Sequence, residues 1–466
     1  MKAAAALLGP SGVGLLTTYQ SILDCLGRLA GMGLRSSAVR QVAELHSAQS
    51  QAELEKTQFV LERTCWITGA AAWALAAALA VPLSQLLFSN LAHASAIAIL
   101  GSVLLLDNLI ASRSAVLQGT RQITRLSKAL VGSSIVATGL AVPLYRLMGT
   151  DGLPVALIAA ALVHLGLISL QMRRQGFQPR PVPLAEARTI ARRLLSLGAA
   201  FLWTGVVAYG ANLAIRGILV RSTGLDGAGL YSAAWSISGL LAMFVLSAMG
   251  QDFYPRLTGA INDHALANRY IQEQLEVSIL LALPGLAITG CLAGEILPLL
   301  YTADFDSAKE LVSWLLGGVF LRVLTWPIAF AQHAAGAKRY LIFSETFYHT
   351  GHFCLVLLLV PHFGPLGAAL AFCISYALYI PVTVVIAQRL TGFDVKKLPY
   401  PILLTSITLL LFNIVLGQLA EPANRLLEYR LPALFFTGAY CVLLLAKRTP
   451  AEGKLRKWIQ RIQAFL

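Results

Sequence analysis

Three arginines lie deep inside long apolar stretches of this chain, where a charge is costly unless it faces a cavity or a partner. They are Arg28, Arg216 and Arg322. Asp24 precedes Arg28 by four residues, and Asn212 precedes Arg216 by the same spacing. Residues four apart lie on one face of a helix. We therefore expect Arg28, Arg216, Arg322 and Asn212 to line a polar cavity between helices.

Two acids, Asp24 and Asp107, lie in apolar stretches as well. Two interpretations stay open for them: structural pairing, with Asp24 and Arg28 in the order that favours a helix pair, or titration coupled to ion movement. Asp107 and Arg322 occupy equivalent positions of the internal repeat described below. Opposite charges at equivalent positions suggest one shared central space.

The elements that must position these residues follow from composition. Hydrophobic residues make up 57% of the 466 residues and charged residues 12%, with a mean hydropathy of +0.70; soluble domains carry about 25% charged residues. We predict an all-α polytopic membrane protein, because helices satisfy their own backbone hydrogen bonds in lipid. Thirteen apolar segments are predicted, near 12–34, 64–83, 96–118, 129–148, 153–171, 196–220, 230–250, 273–292, 311–332, 341–361, 367–388, 399–418 and 431–446.

The net charge of +14 does not indicate nucleic-acid binding, because the basic residues are spread over short gaps between apolar segments. Every second gap between apolar segments, together with the C-terminal tail, contains most of the basic residues. The opposite set holds only Arg146, Arg221, Lys309, Arg425 and Arg430. The positive-inside rule then places the basic gaps and the C-terminus in the cytoplasm. The six cysteines are isolated, so the pattern favours neither disulfides nor a metal site.

An internal repeat is visible as pairs of similar motifs at a nearly constant separation along the chain. GPSGVGL at 9–15 resembles GLDGAGL at 224–230, and the turn GTDG at 149–152 pairs with GPLG at 364–367 at the same separation. Weaker pairs are LLF at 86–88 with LLY at 299–301, and Gly119 with Gly336. Equivalent turns fall on the same predicted side, so we expect two parallel six-helix lobes around a central cavity.

The repeat also predicts the domain organisation. The second repeat begins with a helix near 196–220, and its counterpart would lie mostly before residue 1, so we expect the first helix to be truncated to a stub. The predicted parts are a first lobe at 1–171, a basic cytoplasmic linker at 172–195, a second lobe at 196–389, an extra helical pair at 390–446 and a cytoplasmic amphipathic tail at 447–466.

No pattern for chemistry on a substrate stands out. The sequence has no GxSxG, no Walker motif and no soluble stretch long enough for a nucleotide-binding domain. We therefore expect a transporter rather than an enzyme, with no catalytic residues, no metal and no cofactor.

Several short motifs resemble a known group. They are LGPSGVGL at 8–15, AGMGL at 30–34, VRQVAE at 39–44, GLDGAGLYSAA at 224–234 and LPLLY at 297–301. Together with the lobes and the extra pair, they resemble the polysaccharide biosynthesis flippases, the O-antigen translocase branch of the multidrug/oligosaccharidyl-lipid/polysaccharide exporter superfamily. One departure is that members often carry Asp-Arg in the first helix of the second lobe, where this chain has Ile215 before Arg216.

The resemblance implies a flippase that moves a polyprenyl-pyrophosphate-linked oligosaccharide across the bacterial plasma membrane for surface polysaccharide synthesis. It implies membrane lipids and the polymerase or glycosyltransferases of the pathway as partners. Arginine suits a pyrophosphate because its planar fork binds phosphate oxygens in pairs; Arg28, Arg216 and Arg322 are the candidates. A lipid II flippase, a drug/cation antiporter of the same superfamily and a membrane glycosyltransferase or ligase are the alternatives.

Overall fold

A computed structural model describes residues 1–31, 34–173, 180–199, 202–419 and 429–448. Within these ranges the chain forms fifteen α-helices, a few short 3-10 turns and no strand. The helices are α1 Lys2–Gly31, α2 Leu34–Ser47, α3 Gln51–Phe88, α4 Ala94–Gly119, α5 Ile123–Met148, α6 Gly152–Arg173, α7 Leu184–Ala199, α8 Leu202–Ala260, α9 His264–Cys291, α10 Ala293–Leu300, α11 Ala308–Ala334, α12 Lys338–Phe363, α13 Pro365–Thr391, α14 Tyr400–Leu419 and α15 Leu431–Arg448.

The predicted all-α membrane architecture is confirmed. Seven stretches of the described chain are long and apolar enough to cross a membrane: Gln51–Phe88, Ala94–Gly119, Ile123–Arg173, His264–Cys291, Ala308–Ala334, Pro365–Thr391 and Tyr400–Leu419. Large apolar side chains on them remain exposed, among them Ile67, Ile135 and Leu404, each more than 60% exposed. A soluble protein rarely leaves contiguous apolar surface open, so these faces are suited to lipid.

Two of the basic segments between the apolar ones, which the sequence alone suggests are loops, are largely helical. The gap between the first two segments contains α2 and the first turns of α3, and the predicted linker contains most of α7. These helices form because their apolar faces pack on the bundle: Leu34 and Ala38 of α2 and Leu194 of α7 share one buried cluster with Leu61 and Leu109. Hydropathy alone misses them, since their other faces are polar.

Ion pairs connect the predicted linker to the first turns of α3. Lys56 Nζ lies 2.9 Å from Glu186 on α7 and 2.9 Å from Glu53, and Arg180 Nε lies 2.8 Å from Glu55. Arg180 and α7 are therefore held against the N-terminal part of α3.

Two helices are bent at glycines that the repeat pairs. Gly9 in α1 has φ +67° and ψ −166°, and Gly224 in α8 has φ +71° and ψ −178°. This backbone region is open essentially to glycine alone. The bend in α8 separates 202–223 from 225–260, which explains how two predicted segments share one helix that would otherwise be about 88 Å long.

The predicted tight turns are confirmed, and their conformations match across the repeat. Gly149 (φ +58°, ψ −134°) ends α5, and Gly364 (φ +57°, ψ −140°) separates α12 from α13. Gly119, the predicted counterpart of Gly336, is instead the last residue of α4; Arg121, two residues later, has φ +59° against +60° at Gly336, so this predicted pairing is shifted along the chain. The similar φ and ψ angles of Gly149 and Gly364 agree with the repeat. The arrangement of the two lobes stays a prediction.

The chain forms two compact units, Met1–Gly229 and Leu230–Leu466. Within the second unit the extra pair α14 and α15 packs on α9. Arg430, 2% exposed, is ion-paired there with Glu295 of α10. The predicted domain limits stay predictions, and the predicted amphipathic tail lies outside the described residues from 449 onward.

Candidate functional site

A cavity of about 510 Å³ opens within the first unit, among α1 to α6. Its walls are mostly apolar, but α1 contributes Asp24 and Arg28, and α4 contributes Asp107 and Asn108. Arg28, Asp24 and Asp107 thus line one cavity, but its walls are mostly apolar where a polar cavity was expected, and the binding role of Arg28 stays a prediction. This cavity is the strongest candidate site in the first unit.

Arg28 is held by Tyr209 of α8. Its Nη2 donates a hydrogen bond to Tyr209 Oη at 2.7 Å, and its guanidinium carbon lies 4.5 Å from the centre of the tyrosine ring. Among the described residues, Arg28 makes this one hydrogen bond. A guanidinium carries five N–H donors. Most of its donor capacity is therefore available to an anion in the cavity.

The pairing of Asp24 with Arg28 along one helix is not formed among the described residues. Arg28 turns to Tyr209 instead, while the charges of both Arg28 and Arg216 act on the Asp24 carboxylate through space. The i, i+4 spacing makes such a pair available, but α8 offers Arg28 a hydroxyl acceptor and an aromatic face together. A cation over an aromatic ring gains about 0.5–1 kcal/mol at exposed sites.

Arg216 lies on α8 and also connects to α1. Its Nη1 donates to Thr17 Oγ1 at 3.0 Å, and Thr17 is 4% exposed. Tyr209 and Arg216 are thus both bonded to α1, whereas neither Arg216 nor Asn212 is among the residues that line the cavity at Arg28. Asn212, between them, is exposed, and its Nδ2 donates to the carbonyl of Ala208 in its own helix at 3.0 Å. Its binding role stays a prediction.

Residues near Asp107 add polar groups that the sequence analysis did not identify. Asn108, 8% exposed, leaves its Nδ2 without a hydrogen-bond partner, and Ser112, Ser114 and His164 complete the polar part of the wall. Asn108 directly follows Asp107 inside an apolar run, which is the signal that could have identified it. Two acids face one arginine here, so the described cavity wall carries more negative than positive charge.

Arg322 lies in the second unit, half-buried in α11. It faces a cavity of about 420 Å³ with aromatic and apolar walls that include Tyr254, Trp326 and Phe330. Its charge acts on the hydroxyls of Tyr348 and Tyr376. Arg322 thus lines a cavity, but the walls are aromatic and apolar where a polar cavity was expected, and its binding role stays a prediction. The shared central space predicted for Arg322 and Asp107 stays a prediction.

The helical topology and the apolar helices that are long enough to cross a membrane define a polytopic α-helical membrane protein. The chain belongs to the polysaccharide biosynthesis protein family, whose model matches residues 4–310. The resemblance seen in the sequence motifs is thereby confirmed.

Curated relatives support the same family. The chain is 25% identical over 397 residues to the lipid III flippase of Escherichia coli (strain K12), covering 81% of this chain and 90% of that protein. The lipid III flippase of Shigella flexneri matches to the same extent.

Solved structures share the fold. A multidrug resistance MATE family transporter of the MOP superfamily, in an inward-facing conformation, superposes with a TM-score of 0.64 at 14% identity, covering 84% of this chain and 93% of that chain. The lipid II flippase MurJ in an inward closed conformation gives a TM-score of 0.64 at 13% identity, covering 96% and 97%.

Proposed function

We propose that this protein is a flippase that moves a polyprenyl-pyrophosphate-linked oligosaccharide from the inner to the outer leaflet of the bacterial plasma membrane for surface polysaccharide synthesis. The observation that carries the proposal is Arg28, which faces a cavity while its hydrogen bond to Tyr209 leaves most donors available. The family and the lipid III flippase relatives point to the same class of substrate.

The chemistry favours arginine at such a site. A pyrophosphate needs fixed cations where water is scarce, and a guanidinium binds two phosphate oxygens at once. Tyr209 fixes the plane of the Arg28 guanidinium from one side, so the side chain loses little further freedom on binding. Arg216, bonded to Thr17, and Arg322, in the second unit, are the further cations of the proposal.

Asp24 and Asp107 are proposed as the acids that couple transport to an ion. Both line the cavity with Arg28, and a carboxylate that loses its counter-charge when the arginine engages phosphate gains affinity for a proton or a metal cation. Transport then proceeds by alternating access, with the sugar in the aqueous space and the lipid chain in the bilayer.

The test is export of surface polysaccharide by cells that depend on this chain, normalised to its amount in the membrane. Arg28→Ala should abolish most export while abundance stays near normal, and Arg28→Lys should retain part of it, because the charge remains without the fork. Arg173→Ala, an exposed arginine at the end of α6, is the matched control. Normal export by the Ala variants at positions 28, 216 and 322 would remove these arginines from the substrate site.

A second function, drug or cation antiport, is favoured by one observation: two acids and one arginine line the described cavity. An antiporter for cations needs net negative charge, and it has no need of Arg28. Export of a cationic dye that rises in Arg28→Ala and vanishes in Asp107→Asn would support antiport over the flippase. The flippase predicts no dye transport and loss of polysaccharide export in Arg28→Ala.

The cellular setting belongs to the proposal too. The substrate class requires the plasma membrane, and the basic gaps require a cytoplasmic C-terminus. A polymerase or glycosyltransferases of the same pathway are the proposed protein partners.

A further inference from the structure

A second cavity lies far along the chain from the cavity at Arg28, between α12 and α13. Here a groove of about 810 Å³ is walled by apolar side chains, among them Phe343, Val382 and Val385. Phe343 is 55% exposed and Val385 45% exposed. The groove also holds two arginines, Arg339 and Arg389.

The two arginines share one end of the helix pair. Arg339 lies in the first turn of α12 and Arg389 in the last turn of α13, and the helices run antiparallel because a single glycine, Gly364, separates them. Both side chains are exposed, and within the described ranges neither forms an ion pair with an acid. Two cations without counter-charges therefore stand at the mouth of an apolar groove.

The helix end adds to the positive field. Helix α12 begins at Lys338 with Ala337 as N-cap, a residue that offers no side-chain acceptor. The first-turn amides of α12 can donate to an anion at this position, while the C-terminus of α13 beside them carries the opposite partial charge, which Arg389 in its last turn offsets. Tyr340, half-buried in the groove, is of the type that membrane proteins place at the headgroup level.

We propose that this groove binds an anionic phospholipid of the inner leaflet. The phosphate lies between Arg339 and Arg389, and an acyl chain lies along Phe343, Val382 and Val385. A soluble phosphate has no use for the apolar wall, and a zwitterionic lipid offsets the field of two arginines with its own cation. Basic pockets between membrane helices on the cytoplasmic side bind anionic headgroups in this manner, and the positive-inside rule places this end in the cytoplasm.

The test uses the purified full chain in detergent and native mass spectrometry, with palmitoyl-oleoyl-phosphatidylglycerol and palmitoyl-oleoyl-phosphatidylcholine as probes. We expect the phosphatidylglycerol to bind more tightly. The double variant Arg339→Gln/Arg389→Gln should weaken its binding by about tenfold or more, since each basic residue near a charged lipid contributes about 1 kcal/mol. The matched control is Arg121→Gln/Arg173→Gln, which removes two exposed arginines elsewhere.

A groove variant separates the lipid from a simple anion. Val385→Trp fills the apolar wall and leaves both arginines, so it should weaken phosphatidylglycerol binding without changing elution as a single folded species. Unchanged binding in the double arginine variant, or equal loss in the control pair, overturns the proposal. Competition by inorganic phosphate at the same concentration, or stronger binding of polyprenyl pyrophosphate than of phosphatidylglycerol, overturns it as well, because the site would then serve a free anion or the transported lipid.

Discussion

Gly14 of α1 and Gly229 of α8 meet in a reciprocal contact: a methyl group on Gly14 would lie 2.0 Å from the carbonyl oxygen of Leu225, and one on Gly229 would lie 1.9 Å from that of Pro10. Gly229 is the repeat counterpart of Gly14, and Leu225 is that of Pro10. Each glycine thus packs on a carbonyl of the other helix, and the contact is the same from either side. It brings the two helices that carry Arg28 and Arg216 to backbone contact.

The first prediction concerns this contact. Gly14→Ala and Gly229→Ala should each lower the amount of folded protein in the membrane, because the new methyl overlaps a backbone carbonyl that cannot rotate away. Overpacking of this kind costs about 1–3 kcal/mol, occasionally more. The measurement is thermal stability of the detergent-solubilised chain. Gly139→Ala and Gly166→Ala are the controls, since a methyl there meets nothing within 4 Å; an equal loss in the controls would contradict the packing argument.

The second prediction concerns the bends at Gly9 and Gly224. Alanine at either position should destabilise the protein by about 1–3 kcal/mol, because a side chain is rarely tolerated in that backbone region. Neither glycine has another atom within 4 Å of an added methyl, so crowding does not contribute. Gly210→Ala, in the same helix as Gly224 and equally uncrowded, is the control. If Gly224→Ala is as stable as Gly210→Ala, the bend is not required by the fold.

The third prediction tests the support of Arg28 by Tyr209. Tyr209→Phe removes the hydroxyl acceptor and keeps the ring beneath the guanidinium, so transport should fall about fivefold, corresponding to about 1 kcal/mol. Tyr209→Ala should reduce it further. Export of surface polysaccharide, normalised to membrane abundance, is the measurement. In the Arg28→Ala background, Tyr209→Phe should have no additional effect; an additive loss would show that Tyr209 acts on its own.

The fourth prediction concerns the ion pair between buried Arg430 and partly exposed Glu295, which joins the start of α15 to α10 within the second unit. Arg430→Met should destabilise the chain by about 2–4 kcal/mol, because it leaves the Glu295 charge without its partner. The double variant Arg430→Met/Glu295→Gln should recover much of that loss, which thermal unfolding in detergent can measure. No recovery in the double variant would mean that the packing of Arg430, and not its charge, is what matters.

The fifth prediction is topological. In a variant without native cysteines, Cys introduced at Arg180 or Lys396 should react with a membrane-impermeant maleimide only after the membrane is opened, whereas Cys at Asp151 should react in intact cells. Arg180 is 65% exposed in its pair with Glu55, so its position is accessible to the reagent. Labelling of position 180 from outside intact cells would reverse the orientation.

The sequence by itself determined the local features of this protein. Apolar segments of about 20 residues specify membrane helices through length and composition alone, and the glycine-centred turns at 149 and 364 follow from backbone sterics. The repeat also paired Gly9 with Gly224 and Gly149 with Gly364, and the two glycines of each pair have similar dihedrals, because similar local sequence favours similar backbone conformation. Ion-pair spacing on one helix made Asp24 and Arg28 candidate partners.

Only the tertiary structure decided which partner each side chain takes. Arg28 bonds to Tyr209, far along the chain, and not to Asp24 on its own helix, because the close approach of α1 and α8 brings a hydroxyl and a ring to the guanidinium. The tertiary structure likewise decided that the amphipathic helices α2 and α7 pack on the bundle, although their mean polarity suggests loops. Their apolar residues find a buried cluster that distant segments form. Helix periodicity fixes the face on which a residue lies, whereas the neighbour on that face depends on contacts between distant segments, which periodicity does not contain.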